Sequence, residues 1–298
     1  RHLVVIVIWW VLGRVSFWFM DYLTIYFTAI INISLTAYIG YLAAIPAFKD
    51  RNKKHVSLAY SMVSIVIIQI LFFLSVANII EIDSFKILLL SISLILVLIL
   101  LALRRVSMES INELLEQEKI DETFLAKSFR YNLVIFCLLL YGFVEFFFPE
   151  NSTLAYICFA CGSATFALLN DFVLKENNIL FKPFVLYIIS TISITAIGFF
   201  FLGFNYLFEL NITNHFRHFL TTGSFGMVFY VIMIIVSTIH TGRKIFTNWA
   251  LTLGLILIII ATFMRAFIPF YIEYSITLYI LSSIIWAIPF IIYMKIFF

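Results

Sequence analysis

Apolar runs of about twenty residues follow one another along almost the whole chain, broken only by short polar segments. A hydrocarbon core about 30 Å thick takes about 20 helical residues to cross, and backbone polar groups inside it must be satisfied within the segment. The runs do not alternate polar and apolar residues, which argues against a membrane β-barrel. With 64% hydrophobic residues, 12% charged and mean hydropathy +1.11, the expected fold is all-α: a polytopic transmembrane helical bundle forming one domain over 1–298. The thirty-five Phe suit lipid-facing and packing positions, while the Tyr and Trp suit the interfaces.

Ten spans are expected, at about 3–20, 22–48, 56–79, 86–103, 130–149, 153–172, 182–207, 218–239, 246–267 and 274–294. If the basic loop at 49–54 is cytoplasmic, alternation puts fifteen of the nineteen Lys and Arg inside, with Lys86, Arg217 and Arg265 outside and Arg14 within the first span. This basic bias predicts cytoplasmic termini. The segment 104–129 is expected to be a cytoplasmic loop of mixed charge, and Ser110-x-x-Glu113 ahead of Leu114 and Leu115 has the capping-box pattern that starts a short helix.

The most informative span is HFLTTGSFGMVFYVIMIIVSTIHTGR, from His218 to Arg243. A histidine opens it and a His240-Thr241-Gly242-Arg243 turn closes it. At 1.5 Å per residue the two histidines stand roughly 33 Å apart, so they cannot share one small site. His215 and His218 are spaced i, i+3, which places both on one helix face and makes them candidate metal ligands. An imidazole beside hydrocarbon must be neutral, hydrogen-bonded or metal-bound, although an interfacial histidine needs no ligand. Arg14, inside WWVLGRVSF, needs an anionic partner or a wet cavity. Glu145 and a ligand carboxylate both remain open. The Cys158-x-x-Cys161 pair reads as packing in a helix rich in small residues, three cysteines give no disulfide framework, and His55 reads as a solvated interfacial residue.

The chain resembles the NnrS family. The carrying residues are His218, Leu220, Thr221, Gly223 and Gly226, followed by His240, Thr241, Gly242 and Arg243. WWVLGR at 9–14, RNKKHVSLAY at 51–60, ATFMRAF at 261–267 and SIIWAIPFIIY at 283–293 extend the resemblance along the chain. Departures are the absence of an arginine and a glycine just before His240, and Leu103-Arg104-Arg105 where the family has Gly-Gly-Arg. The resemblance implies twelve helices in a full-length member, the first two carrying a Trp-His-x-His-Glu motif without counterpart here. It further implies a bacterial inner-membrane protein that binds haem, and also copper, and acts in resistance to nitric oxide and nitrosative stress. His218 is then the expected axial ligand, with Arg14 and Arg265 as propionate partners. Expected partners are the lipid bilayer and nitric oxide or a related small molecule, with no nucleic acid. The redox partner and any enzymatic activity stay open. A secondary transporter with Arg14 and Glu145 in the substrate path is the alternative, against which stands the lack of paired broken helices and repeated halves.

Overall fold

The computed structural model describes residues 2–49, 56–174, 182–244 and 248–298. Arg1, Arg51, Lys53, Lys54, His55 and Lys175 lie outside the described residues. The elements in order are α1 (His2–Trp18), α2 (Ile25–Lys49), α3 (Val56–Val76), α4 (Ser84–Gln117), α5 (Ser128–Phe147), α6 (Thr153–Ala167), a 3₁₀ turn (Leu168–Phe172) and α7 (Pro183–Leu207). Then come α8 (Thr213–Phe216), a π-helical segment (Phe219–Phe225), α9 (Gly226–His240), α10 (Trp249–Ala266), a second 3₁₀ turn (Ile268–Tyr274) and α11 (Ser275–Phe297). Among the described residues nine helical segments are long and apolar enough to cross a membrane, and α1 is an apolar but shorter helix. The protein is a multi-pass helical membrane protein. Residues such as Phe136, Leu139 and Phe143 of α5 leave their side chains exposed, as lipid contact requires.

Two compact units divide the chain, 1–98 with 142–148 and 99–141 with 149–298. In the first, α1 lies against α2 along a polar seam. The Arg14 guanidinium donates from Nη2 to Asn32 Oδ1 at 3.0 Å and sits 5.3 Å from the Phe17 ring centre. Asn32 in turn donates to the Thr28 carbonyl at 2.8 Å, and Thr28 Oγ1 donates to the Ser16 carbonyl at 3.2 Å. Asn32, Thr28 and Ser16 are buried. An amide oxygen and an aromatic face therefore engage the arginine where sequence alone pointed to a carboxylate.

In the second unit, α6 packs on α7, and the rings of Phe201, Phe216, Phe219, Phe263 and Phe267 form one contiguous cluster. The 104–129 segment differs from the expected loop, because α4 runs on past Leu103 to Gln117. Two features carry the extension. Arg105 and Glu109 form an i, i+4 ion pair at 3.0 Å, with Gln117 bonded to Glu113 at 2.9 Å, while Ile111, Leu114 and Leu115 are buried on the other side. Ser110 therefore sits mid-helix and starts no new element. The return stretch to α5 is ordered by its backbone. Asn112 holds Phe124 twice, accepting from its N–H at 2.7 Å and donating to its carbonyl at 3.1 Å. The buried Asp171 carboxylate accepts from the Lys127 N–H at 3.0 Å and from Arg130.

Candidate functional site

The second unit contains a cavity of about 330 Å³ lined by His218, Thr221, Thr222, Arg265, Ser282, Ser283 and Trp286. Three elements build it: the stretch from His218 into the π segment, the end of α10, and α11. Each contributes for a reason legible in its local structure.

His218 is the residue before the π-helical segment Phe219–Phe225. Such segments are rare and short, and they recur at functional sites because the widened turn re-aims side chains and frees carbonyls. Here the Thr222 carbonyl accepts from the Trp286 indole Nε1 at 3.1 Å. The motif's two glycines explain how neighbours come so close. A methyl at Gly223 would stand 2.9 Å from Thr262 Cγ2 of α10, and one at Gly226 would stand 2.7 Å from Trp286 Nε1 of α11. Phe219 anchors the segment, fully buried and stacked on Phe201 at 4.9 Å. Thus Thr-x-Gly-x-x-Gly after the histidine is a packing signature that seats the π segment against α10 and α11.

The His218 ring is half-buried, with Nδ1 at 3.4 Å from Thr222 Oγ1. His215, on the short α8, lies with its ring centre 6.3 Å from that of His218, so the i, i+3 pairing is real in space. Its Nδ1 is buried without a hydrogen-bond partner. Arg265, in the last turn of α10, donates from Nη1 to Ser283 Oγ at 3.1 Å and lies 5.1 Å over the Tyr279 ring. None of the three ion pairs found among the described residues involves Arg265. A guanidinium carries five N–H donors, so one serine leaves capacity for an anionic ligand. Imidazole, guanidinium and four hydroxyls on one wall suit a ligand that combines a metal centre with carboxylates.

The other predicted site residues lie on other elements. Arg14 belongs to the first unit, with the partners described above. His240 is exposed at the far end of α9. There, His240-Thr241-Gly242-Arg243 makes a Schellman cap: the Gly242 N–H donates to the Ile239 carbonyl at 3.0 Å and the Arg243 N–H to the Thr238 carbonyl at 3.1 Å. Gly242 has φ +66°, a left-handed conformation that favours glycine. Thr241 Oγ1 donates to the Ser237 carbonyl at 2.7 Å, and the Arg243 guanidinium lies 5.7 Å over Phe297. The turn's geometry accounts for three of its four residues as a helix stop.

Cys137, Cys158 and Cys161 are all buried, and among the described residues no group of three or more His, Cys, Asp or Glu is arranged to hold a metal ion. Sequence reasoning missed Thr222, Ser282, Ser283 and Trp286 as cavity walls. Their one visible signal was the Ser282-Ser283 pair four and three residues ahead of Trp286, a polar interruption on an otherwise apolar helix.

No curated protein and no solved structure matches the chain. The family model described as NnrS protein matches residues 1–298, the whole sequence, including both motif halves whose geometry is given above. The chain is therefore a member of the NnrS family.

Proposed function

We propose that the cavity at His218 and Arg265 holds haem and that the protein acts in the nitric oxide response, by binding or redox chemistry on nitric oxide or its iron adducts. The observation that carries this reading is that one cavity is lined by an imidazole and by a guanidinium with no carboxylate partner among the described residues. His218 would donate its imidazole to the haem iron, and Arg265 would pair with a propionate. The donor set fits the group, and the cavity of about 330 Å³ would hold part of it. Bound haem supplies an iron centre with affinity for nitric oxide.

The chain's own residues do the rest. Thr222 Oγ1 stands 3.4 Å from His218 Nδ1, which would leave Nε2 as the ligating atom. Ser283 orients the guanidinium. Buried His215 Nδ1 is a second donor atom near the first ring, and copper held by these two histidines would take the place of haem at His218. The orientation proposed is that of a bacterial inner-membrane protein with cytoplasmic termini, the His218 end outside and the His240 end inside.

The purified full-length protein should show a Soret band. His218→Ala should weaken haem retention by more than the roughly 10–100-fold that loss of an outer partner costs, while the exposed His240→Ala keeps it. A Soret band unchanged in a folded His218→Ala protein defeats the ligand assignment. No Soret band in the wild-type protein, even after haemin addition, defeats the haem reading and leaves transport in its place.

A further inference from the structure

The first unit contains a second cavity, of about 240 Å³, between α2, α3 and α4. Its walls are mostly apolar. From α3 come Ile65, Ile68, Gln69 and Phe72, spaced i, i+3, i+4, i+7 on one helix face, and Ile87, Leu88, Ser91 and Ile95 of α4 stand opposite with Thr36 of α2. Gln69 is the sole amide in the apolar run VSIVIIQILFFLSV, and its Oε1 is buried with no hydrogen-bond partner. A polar group left unsatisfied in hydrocarbon is costly, and in a membrane span it marks a ligand or a path.

The hydroxyls that line the same cavity sharpen the chemistry. Ser91 Oγ donates to the Leu88 carbonyl at 2.6 Å and Thr36 Oγ1 to the Asn32 carbonyl at 3.0 Å, so both have spent their hydrogen and face the cavity as acceptors. Three acceptor oxygens in an apolar cavity ask for a ligand that brings O–H donors. Size narrows the class: a dry cavity of ~150 Å³ admits benzene, so 240 Å³ takes a substituted ring. Phe72 offers that ring an aromatic neighbour. Access is from the lipid, because Leu88 is a wall residue and is also 46% exposed on a membrane-length helix.

We propose that this cavity binds the head of a lipid-soluble hydroquinone, one hydroxyl donating to Gln69 Oε1, with any tail leaving past Leu88 into the bilayer. The proposal is independent of the haem reading, since its residues all lie in the first unit.

The test uses the full chain in lipid nanodiscs and two probes, a decyl-substituted hydroquinone and its dimethyl ether, which has the same ring but no O–H. The hydroquinone should bind saturably at one site per chain and about ten-fold more tightly than the ether, the effect of one buried hydrogen bond. Gln69→Leu should weaken the hydroquinone about ten-fold and erase the difference between probes. Ile68→Phe, which keeps the amide and fills the cavity, should abolish saturable binding of both. Equal affinity of the two probes for the wild-type protein, as an acyl-chain site would give, overturns the proposal. So does uptake no greater than by protein-free nanodiscs, or unchanged hydroquinone binding in either variant when that variant unfolds at the wild-type temperature.

Discussion

The packing of the π segment and the first residue of α9 on α11 makes Gly226→Ala the most informative single methyl in the protein. An ideal Cβ at this position stands 2.7 Å from Trp286 Nε1, 3.3 Å from Cε2 and 3.4 Å from Cζ2. Ordinary contact is about 3.5–4.0 Å, so the indole has to retreat by roughly 1 Å. That retreat breaks the 3.1 Å bond from Nε1 to the Thr222 carbonyl. Overpacking costs about 1–3 kcal/mol, and orphaning a partly buried donor and carbonyl adds about 1 kcal/mol. Alanine's better helix propensity returns about 1 kcal/mol. A net loss of about 1–3 kcal/mol follows, with the low end reached if α11 yields. The natural reporter is a thiol-reactive fluorophore during heating in detergent, because Cys137, Cys158 and Cys161 are all buried and react only when the bundle opens. At about 2–4 °C per kcal/mol, the midpoint should fall by roughly 2–12 °C. The same substitution in a Trp286→Phe background meets a smaller ring and no indole N–H, so its effect should at least halve. A coupling below about 0.5 kcal/mol, or a Gly226→Ala protein as stable as the wild type, refutes the idea that this glycine exists to seat Trp286.

The Schellman turn predicts that Gly242→Ala costs about 1–2 kcal/mol through backbone strain alone, since nothing lies within 4 Å of the added methyl. Gly242→Asn should recover part of that loss in the same thermal assay, and equal losses for Ala and Asn would argue for a steric cause. The proposed orientation predicts that, in a background free of native cysteine, Asn211→Cys reacts with a membrane-impermeant thiol reagent in cells stripped of the outer membrane. Asn52→Cys should react only after lysis, and the reverse pattern inverts the topology.

Fold class was written in the sequence because a bilayer leaves a chain few solutions. Runs of about twenty apolar residues can only be helices, whatever they pack against, and the family could be recognised from His218, Gly223, Gly226 and the His240–Arg243 turn. The helix stop at Gly242 was likewise a local matter. Element ends were less legible: α4 outruns the apolar stretch because Ile111, Leu114 and Leu115 find cover in the second unit, and only tertiary packing could supply that cover. The same holds for the site. Sequence spacing gave His215 next to His218, but the meeting of His218 with Arg265, Ser283 and Trp286 joins residues far apart in the chain. Arg14 shows the limit in the other direction, for an arginine in hydrocarbon announces that it needs a partner without saying which, and here Asn32 is engaged across the α1–α2 seam. The π segment was invisible beforehand, since its residues have no shared helical propensity that favours a widened turn. Contacts with α10 and α11, admitted by two glycines, hold it. Composition and periodicity determined that the chain crosses the membrane as helices; which buried polar atoms are satisfied, and where cavities are left between the helices, was decided by how those helices pack.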